Sequence, residues 1–233
     1  MLLYLANPST DLIRAKMASG HIGAIMSRAQ GNALPDDALF CVDNSCGPGR
    51  DGQPGTAYPG DNAYLAYLQK LAALDGADPC DPDTSRCLFA VAPDVLCDAA
   101  GTLRRSRYML PVIRHEIGLP AALVAQNGLE HILAAMSHRE LDEFWSAFSV
   151  LFLGGDDDWK LGPAAAALTA EAHRRRRWVH MGRVNTRQRL RYAAYTGCDS
   201  ADGTGMTRAP DKNLAQMLAW LREIDTQLAL FAS

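Results

Sequence analysis

With 233 residues, 48% of them hydrophobic and 21% charged, the chain suits one large domain or two small ones, with enough apolar material for a full core and no compositional sign of disorder. The formal net charge of −3 excludes a uniformly basic surface. Yet the arginines at 174–177, with Arg183, Arg187, Arg189 and Arg191, crowd one stretch, and a phosphate backbone responds to such local patches.

In chain order, short apolar runs bounded by Gly, Pro, Asn or Asp occur at 2–6, 22–26, 39–42, 88–92, 121–125, 150–153, 178–181 and, less clearly, 197–202. Between them lie amphipathic stretches with helical spacing at 10–19, 61–74, 98–116, 129–148, 163–177, 186–196 and 213–231. Eight buried strands alternating with helices predict an α/β protein, a single (β/α)8 TIM barrel over residues 1–233, with an open doubly wound sheet as the alternative. The link after 22–26 contains no obvious helix. The Gly- and Pro-rich stretch 47–60 reads as a long loop over the site.

No apolar run approaches the ~20 residues that span a bilayer, so no membrane partner is expected. Six cysteines include no Cys-x-x-Cys pair, and Met1 leads straight into a strand-like run rather than a signal peptide. The expectation is a reduced, cytoplasmic protein, in which a bridge between Cys80 and Cys87 is disfavoured.

In a barrel of this kind the chemistry sits where strands end. Nearly every strand here ends in unusual polar residues: Asp43-Asn44-Ser45-Cys46-Gly47, Pro93-Asp94, Gln126-Asn127-Gly128, Gly154-Gly155, Gly182-Arg183 and Asp199-Ser200-Ala201-Asp202-Gly203. Asp and Gly after strands also serve as caps and turns, but together these motifs bring three carboxylates and an amide to one mouth. Carboxylates crowded into a partly dry pocket divide into acid, base and nucleophile. There is no Walker or dinucleotide fingerprint and no G-x-S-x-G elbow. Cys41, Cys46, His21 and His115 lack zinc spacing, so no metal or cofactor is expected. His180, alone at a strand end, reads as structural.

Taken in order, these strand-end motifs resemble those of the tRNA-guanine transglycosylase superfamily, and within it the phage and bacterial enzymes that put 7-deazaguanines into DNA. The likeness runs from about Leu39 to Gly205. Asp43-Asn44-Ser45-Cys46-Gly47 is similar to the Asp-Ser-Gly-Gly-aromatic segment that carries the acid/base. Asp94 stands where the base-reading aspartate falls, and Val124-Ala125-Gln126-Asn127-Gly128 resembles Val-Gln-Gly-Gly, whose glutamine binds the base. Gly154-Gly155 and Met181-Gly182 match segments lining the base pocket. Gly197-Cys198-Asp199-Ser200-Ala201-Asp202 resembles Gly-Val-Asp-x-Phe-Asp, whose last aspartate is the nucleophile.

The resemblance implies Asp202 as nucleophile, Asp43 as acid/base, and Asp94, Gln126, Gly154, Gly155, Met181, Gly182 and Asp199 around the base, with Asp199 the rival nucleophile. Arg183, Lys160, Arg187 and Arg208 are the expected backbone contacts. The implied activity is exchange of guanine in DNA for a 7-deazaguanine such as preQ0, with a homodimer possible. Three departures stand out. Cys46 replaces a glycine and no aromatic follows it, Gly203-Thr204-Gly205 replaces Pro-Thr-Arg, and the zinc module that holds tRNA is absent, which favours DNA. The alternatives are a tRNA enzyme, a nucleoside or sugar hydrolase, and a non-catalytic nucleic-acid-binding barrel.

Overall fold

Eight short parallel strands close into a barrel in sequence order: β1 Leu3–Ala6, β2 Gly23–Met26, β3 Phe40–Val42, β4 Cys87–Val91, β5 Ala121–Ala125, β6 Val150–Leu153, β7 Trp178–Met181 and β8 Ser200–Asp202. The computed structural model describes residues 2–47, 57–76, 84–207 and 209–232. Most of the stretch 47–60, and Cys80 and Arg208, lie outside these. The closed order rules out the open sheet, because β8 pairs with β1 through Leu5 and Asp202.

The strands are buried on both faces, as parallel strands are when helices cover a sheet. Alternation divides their side chains between two cores. Leu5, Cys41, Phe89, Val91, Val124 and Val150 fill the barrel interior. Leu151, Leu153, Val179 and Met181 face the helices instead.

The helical layer runs α1 Asp11–Ala18, α2 Asp61–Asp75, α3 Ala99–Pro111, α4 Leu129–Ala134, α5 His138–Ser146, α6 Asp157–Lys160, α7 Pro163–Arg174, α8 Arg187–Tyr195 and α9 Pro210–Ala232. The side chains of Thr10, Asp98 and Thr186 cap α1, α3 and α8. Residues 27–39, between β2 and β3, form no helix.

Two expected helices differ from what their periodicity predicts. The single helix at 129–148 is broken, because Ser137 starts α5 with a capping box to Glu140. The helix at 98–116 gives way after Pro111 to a π-helical turn, Val112–Ile117, since proline supplies no N–H to continue the α ladder. Among the described residues no helix is long and apolar enough to cross a membrane.

Candidate active site

The ends of β3, β4 and β5 hold one tightly bonded polar cluster. Asp94 is buried, and its Oδ1 accepts from Asn44 Nδ2 at 2.9 Å while its Oδ2 accepts from Gln126 Nε2 at 2.6 Å. Each amide is held at its other end by a backbone donor. Cys97 N donates to Gln126 Oε1 at 2.9 Å, and Cys46 N donates to Asn44 Oδ1 at 2.7 Å. Burial pushes the Asp94 carboxyl above its ordinary range, and the Asn44 and Gln126 bonds pull it back.

Asp43 leaves β3 beside this cluster. Its Oδ2 accepts from the backbone N of Ser45 at 3.2 Å, a turn that requires the uncommon φ of +59° at Ser45. Burial first, then the charges of Asp202 and Asp94, push the Asp43 carboxyl up to about 7.

Asp202 closes the site from β8 and is 14% exposed. Its Oδ1 lies 2.9 Å from His180 Nε2, and Oδ2 has no hydrogen-bond partner among the described residues. The segment after β7 is laced to the same strand. Val184 N donates to the Asp202 carbonyl at 2.6 Å, and Tyr4 OH on β1 donates to the Val184 carbonyl at 3.0 Å.

A cavity of about 320 Å³ opens between these groups, with Asp43, Asp94, Gln126 and Asp202 as polar lining and Val91 and Phe152 as apolar wall. That volume falls within the range of small-molecule pockets. Two glycines keep it open. A Cβ on Gly154 would lie 2.4 Å from Val124 Cγ1 and 2.9 Å from Gln126 Nε2, and one on Gly182 would lie 2.7 Å from the Phe152 ring.

The expected residues are sorted by this geometry. Asp43, Asp94, Gln126, Gly154, Gly182, Arg183 and Asp202 converge on the cavity. Asp199 does not: it stands at the start of β8, about 10 Å down the strand from Asp202, and its carboxylate accepts from Val179 N at 2.7 Å. That position removes it both as a base contact and as the rival nucleophile. The Met181 side chain packs in the helix-facing core rather than under a bound base. A Cβ on Gly155 would meet Trp159, so Gly155 packs against α6 and not the cavity.

The basic residues divide as well. Lys160 is fully buried, donates to the Gly182 carbonyl at 2.8 Å and pairs with Asp157 at 3.5 Å. Burial, with Arg183 nearby, lowers its pKa. It braces the segment after β7 and is not free to meet a phosphate. Arg187 is engaged by Glu223 of α9 through two bonds, at 3.0 and 2.5 Å. The arginines at 174–177 run from the last residue of α7 into β7, at the opposite end of the barrel from the cavity. Arg183 stays at the mouth, exposed, with its guanidinium donating to the Gly154 and Gly155 carbonyls.

Asn44 and the contact of His180 with Asp202 were not expected. The signal for His180 was present in Val179-His180-Met181: one polar residue between two apolar ones on a buried strand points to the other face. Among the described residues no group of three or more His, Cys, Asp or Glu side chains is arranged to hold a metal ion.

No family model matches the sequence, and no curated protein matches it. Solved structures share the fold. One described as a native KDPGal structure aligns with a TM-score of 0.54 at 13% identity, over 99% of this chain and 97% of that one. The 3-hexulose-6-phosphate synthase of Salmonella typhimurium aligns with a TM-score of 0.50 at 14% identity, over 97% of this chain and 99% of that one. The chain is thus a single closed eight-stranded α/β barrel, and identities this low speak to its fold alone.

Proposed function

We propose that the protein exchanges guanine in DNA for a 7-deazaguanine base through a covalent intermediate on Asp202. The observation that carries this reading is the pairing, across one cavity, of a carboxylate whose Oδ2 has no hydrogen-bond partner among the described residues and a second carboxyl pushed up to about 7. An oxygen of Asp202 attacks C1′ of a deoxyguanosine unit. The C1′–N9 bond breaks, its electron pair leaves with guanine, and Asp43 supplies the proton that guanine takes up at N9. The incoming base then returns a proton from its corresponding N–H to Asp43 as its nitrogen attacks C1′ and releases Asp202. Each transition state has oxocarbenium character, which a neighbouring carboxylate stabilises.

Asp94 and Gln126 supply an acceptor and an amide at fixed positions for the edge of a purine, and Val91, Val124 and Phe152 provide apolar walls of the cavity. A pocket built to bond such an edge rejects bases that leave its buried groups unpaired. The target nucleotide has to leave its stack to enter, or come from single-stranded DNA. Among the described residues, Arg183 at the rim is the remaining candidate for a backbone contact.

The test is incorporation of 7-cyano-7-deazaguanine into single-stranded DNA, duplex DNA and tRNA, read by nucleoside mass spectrometry with Asp202→Ala as control. The expected result is a modified deoxynucleoside with the wild type and none with the variant. Exchange into tRNA alone would move the substrate to RNA. No exchange into any polymer, with hydrolysis of free nucleosides instead, would overturn the reading.

A further inference from the structure

Below Asp202 a chain of side chains runs down the inside of the barrel. Trp178 Nε1 lies 2.8 Å from Ser200 Oγ, Ser200 Oγ lies 2.8 Å from His180 Nδ1, and His180 Nε2 lies 2.9 Å from Asp202 Oδ1. His180 and Ser200 face each other in the register of β7 and β8. The imidazole is wholly buried between Phe89 and Phe152, with ring centroids at 5.1 and 4.5 Å.

The direction of donation follows from the first member. An indole N–H only donates, so Ser200 Oγ accepts from Trp178. Ser200 is fully buried, and its single proton has one acceptor among the described residues, Nδ1 of His180. Nδ1 therefore accepts, and the ring proton sits on Nε2, aimed at Asp202.

We infer that His180 is a positioning residue: Ser200 and Trp178 hold it as the Nε2–H tautomer, it donates to Oδ1 of Asp202, and Oδ2 is left as the attacking oxygen. The inference rests on the reading of Asp202 as nucleophile. His180 keeps its proton throughout. In the first step the Oδ2–C1′ bond forms as the C1′–N9 bond breaks. In the second the Oδ2–C1′ bond breaks, its electron pair returns to the carboxylate, and the N–H at Oδ1 stabilises the charge that reappears. A hydrogen bond is stronger to the carboxylate that re-forms in the second transition state than to the ester it leaves, so its loss slows breakdown of the intermediate.

The experiment pairs a tautomer measurement with kinetics. In protein labelled with 15N at histidine, the His180 signals are identified by their loss in His180→Gln, and the wild type is expected to carry its ring proton on Nε2. Ser200→Ala, which removes the proton facing Nδ1, is expected to shift that pattern. For base exchange, His180→Leu is expected to lower kcat by about 10- to 100-fold with little change in KM for the incoming base. His180→Gln, which puts an amide donor near the Nε2 position, is expected to recover much of that loss. A proton on Nδ1 in the wild type, or equal losses in the Gln and Leu variants, would overturn the inference. If His180→Leu fails to fold, the wild-type and Ser200→Ala spectra still decide it. A wild type that exchanges no base sinks the functional reading, a different outcome from an active wild type with the wrong tautomer.

Discussion

The two sides of the barrel mouth are built on opposite principles. At β3–β5, Asp94, Asn44 and Gln126 bond one another, and backbone donors hold both amides in place. At β7–β8, the Asp202 carboxylate is held, among the described residues, by Oδ1 alone. A closely bonded network defines a shape, because moving any member leaves a buried partner unsatisfied. A carboxylate with a free oxygen keeps an atom for reaction. The first side should therefore respond to substitution in stability, and the second in turnover.

The largest effect expected is on the open side. Asp202→Asn should lower base exchange by at least about 10³-fold, since an amide oxygen is a poor nucleophile. Its melting temperature should stay close to that of the wild type. A large loss of stability would break the comparison.

Gly154→Ala probes the wall between the two sides. Its methyl group would meet Val124 and Gln126, so KM for the incoming base should rise by about 10-fold or more. A steady-state titration of the base would show it, and an unchanged KM would place the base elsewhere.

On the networked side, Asp94→Asn sets an N–H₂ against either Asn44 or Gln126. Neither amide can turn to accept it without releasing the N–H of Cys46 or Cys97. Chemical denaturation should report a loss of about 1–3 kcal/mol. A neutral result would mean that the network relaxes.

The smallest effect is one of pH. The Asp43 carboxyl is raised to about 7 by burial and by its acidic neighbours, so the folded protein binds the proton more tightly than the unfolded chain. Folding stability contributed by this group is present at acidic pH and lost as pH rises through about 7. Asp43→Asn should accordingly raise the melting temperature at pH 8 relative to wild type, and do so less at pH 5. Exchange by the wild type should also fall above about pH 7, where Asp43 has lost the proton it gives to guanine. A melting difference that grows toward acid would reverse the sign and remove the explanation.

Much of the barrel was legible in the sequence. Apolar runs between Gly, Pro, Asn and Asp located the strands to within a few residues, and the polar residues just past them marked the mouth. Asp43, Asp94, Gln126 and Asp202 could be named because parallel strands bring all their C-terminal ends to one rim.

What failed was position along a strand and direction across it. Asp199 and Asp202 are three residues apart, and three residues on a strand are enough to separate the two ends of the barrel. Met181 alternates outward and His180 inward, so on β7 it is His180 that reaches Asp202. Lys160 read as a free cation, yet its Nζ is enclosed by Asp157 and the Gly182 carbonyl, partners that only the folded chain brings together. The break at Ser137 was written in the capping residues rather than in the periodicity.

The seam between β8 and β1 has a consequence for how the protein comes into being. Asp202 lies on the last strand of the barrel to be synthesised, and it is tied through Val184 to Tyr4 on the first. This end of the candidate site can therefore be assembled only after almost two hundred intervening residues have been synthesised. On the proposed reading, a growing chain stalled before β8 would carry a nearly complete scaffold without its nucleophile, so the ring has to close before that carboxylate can act.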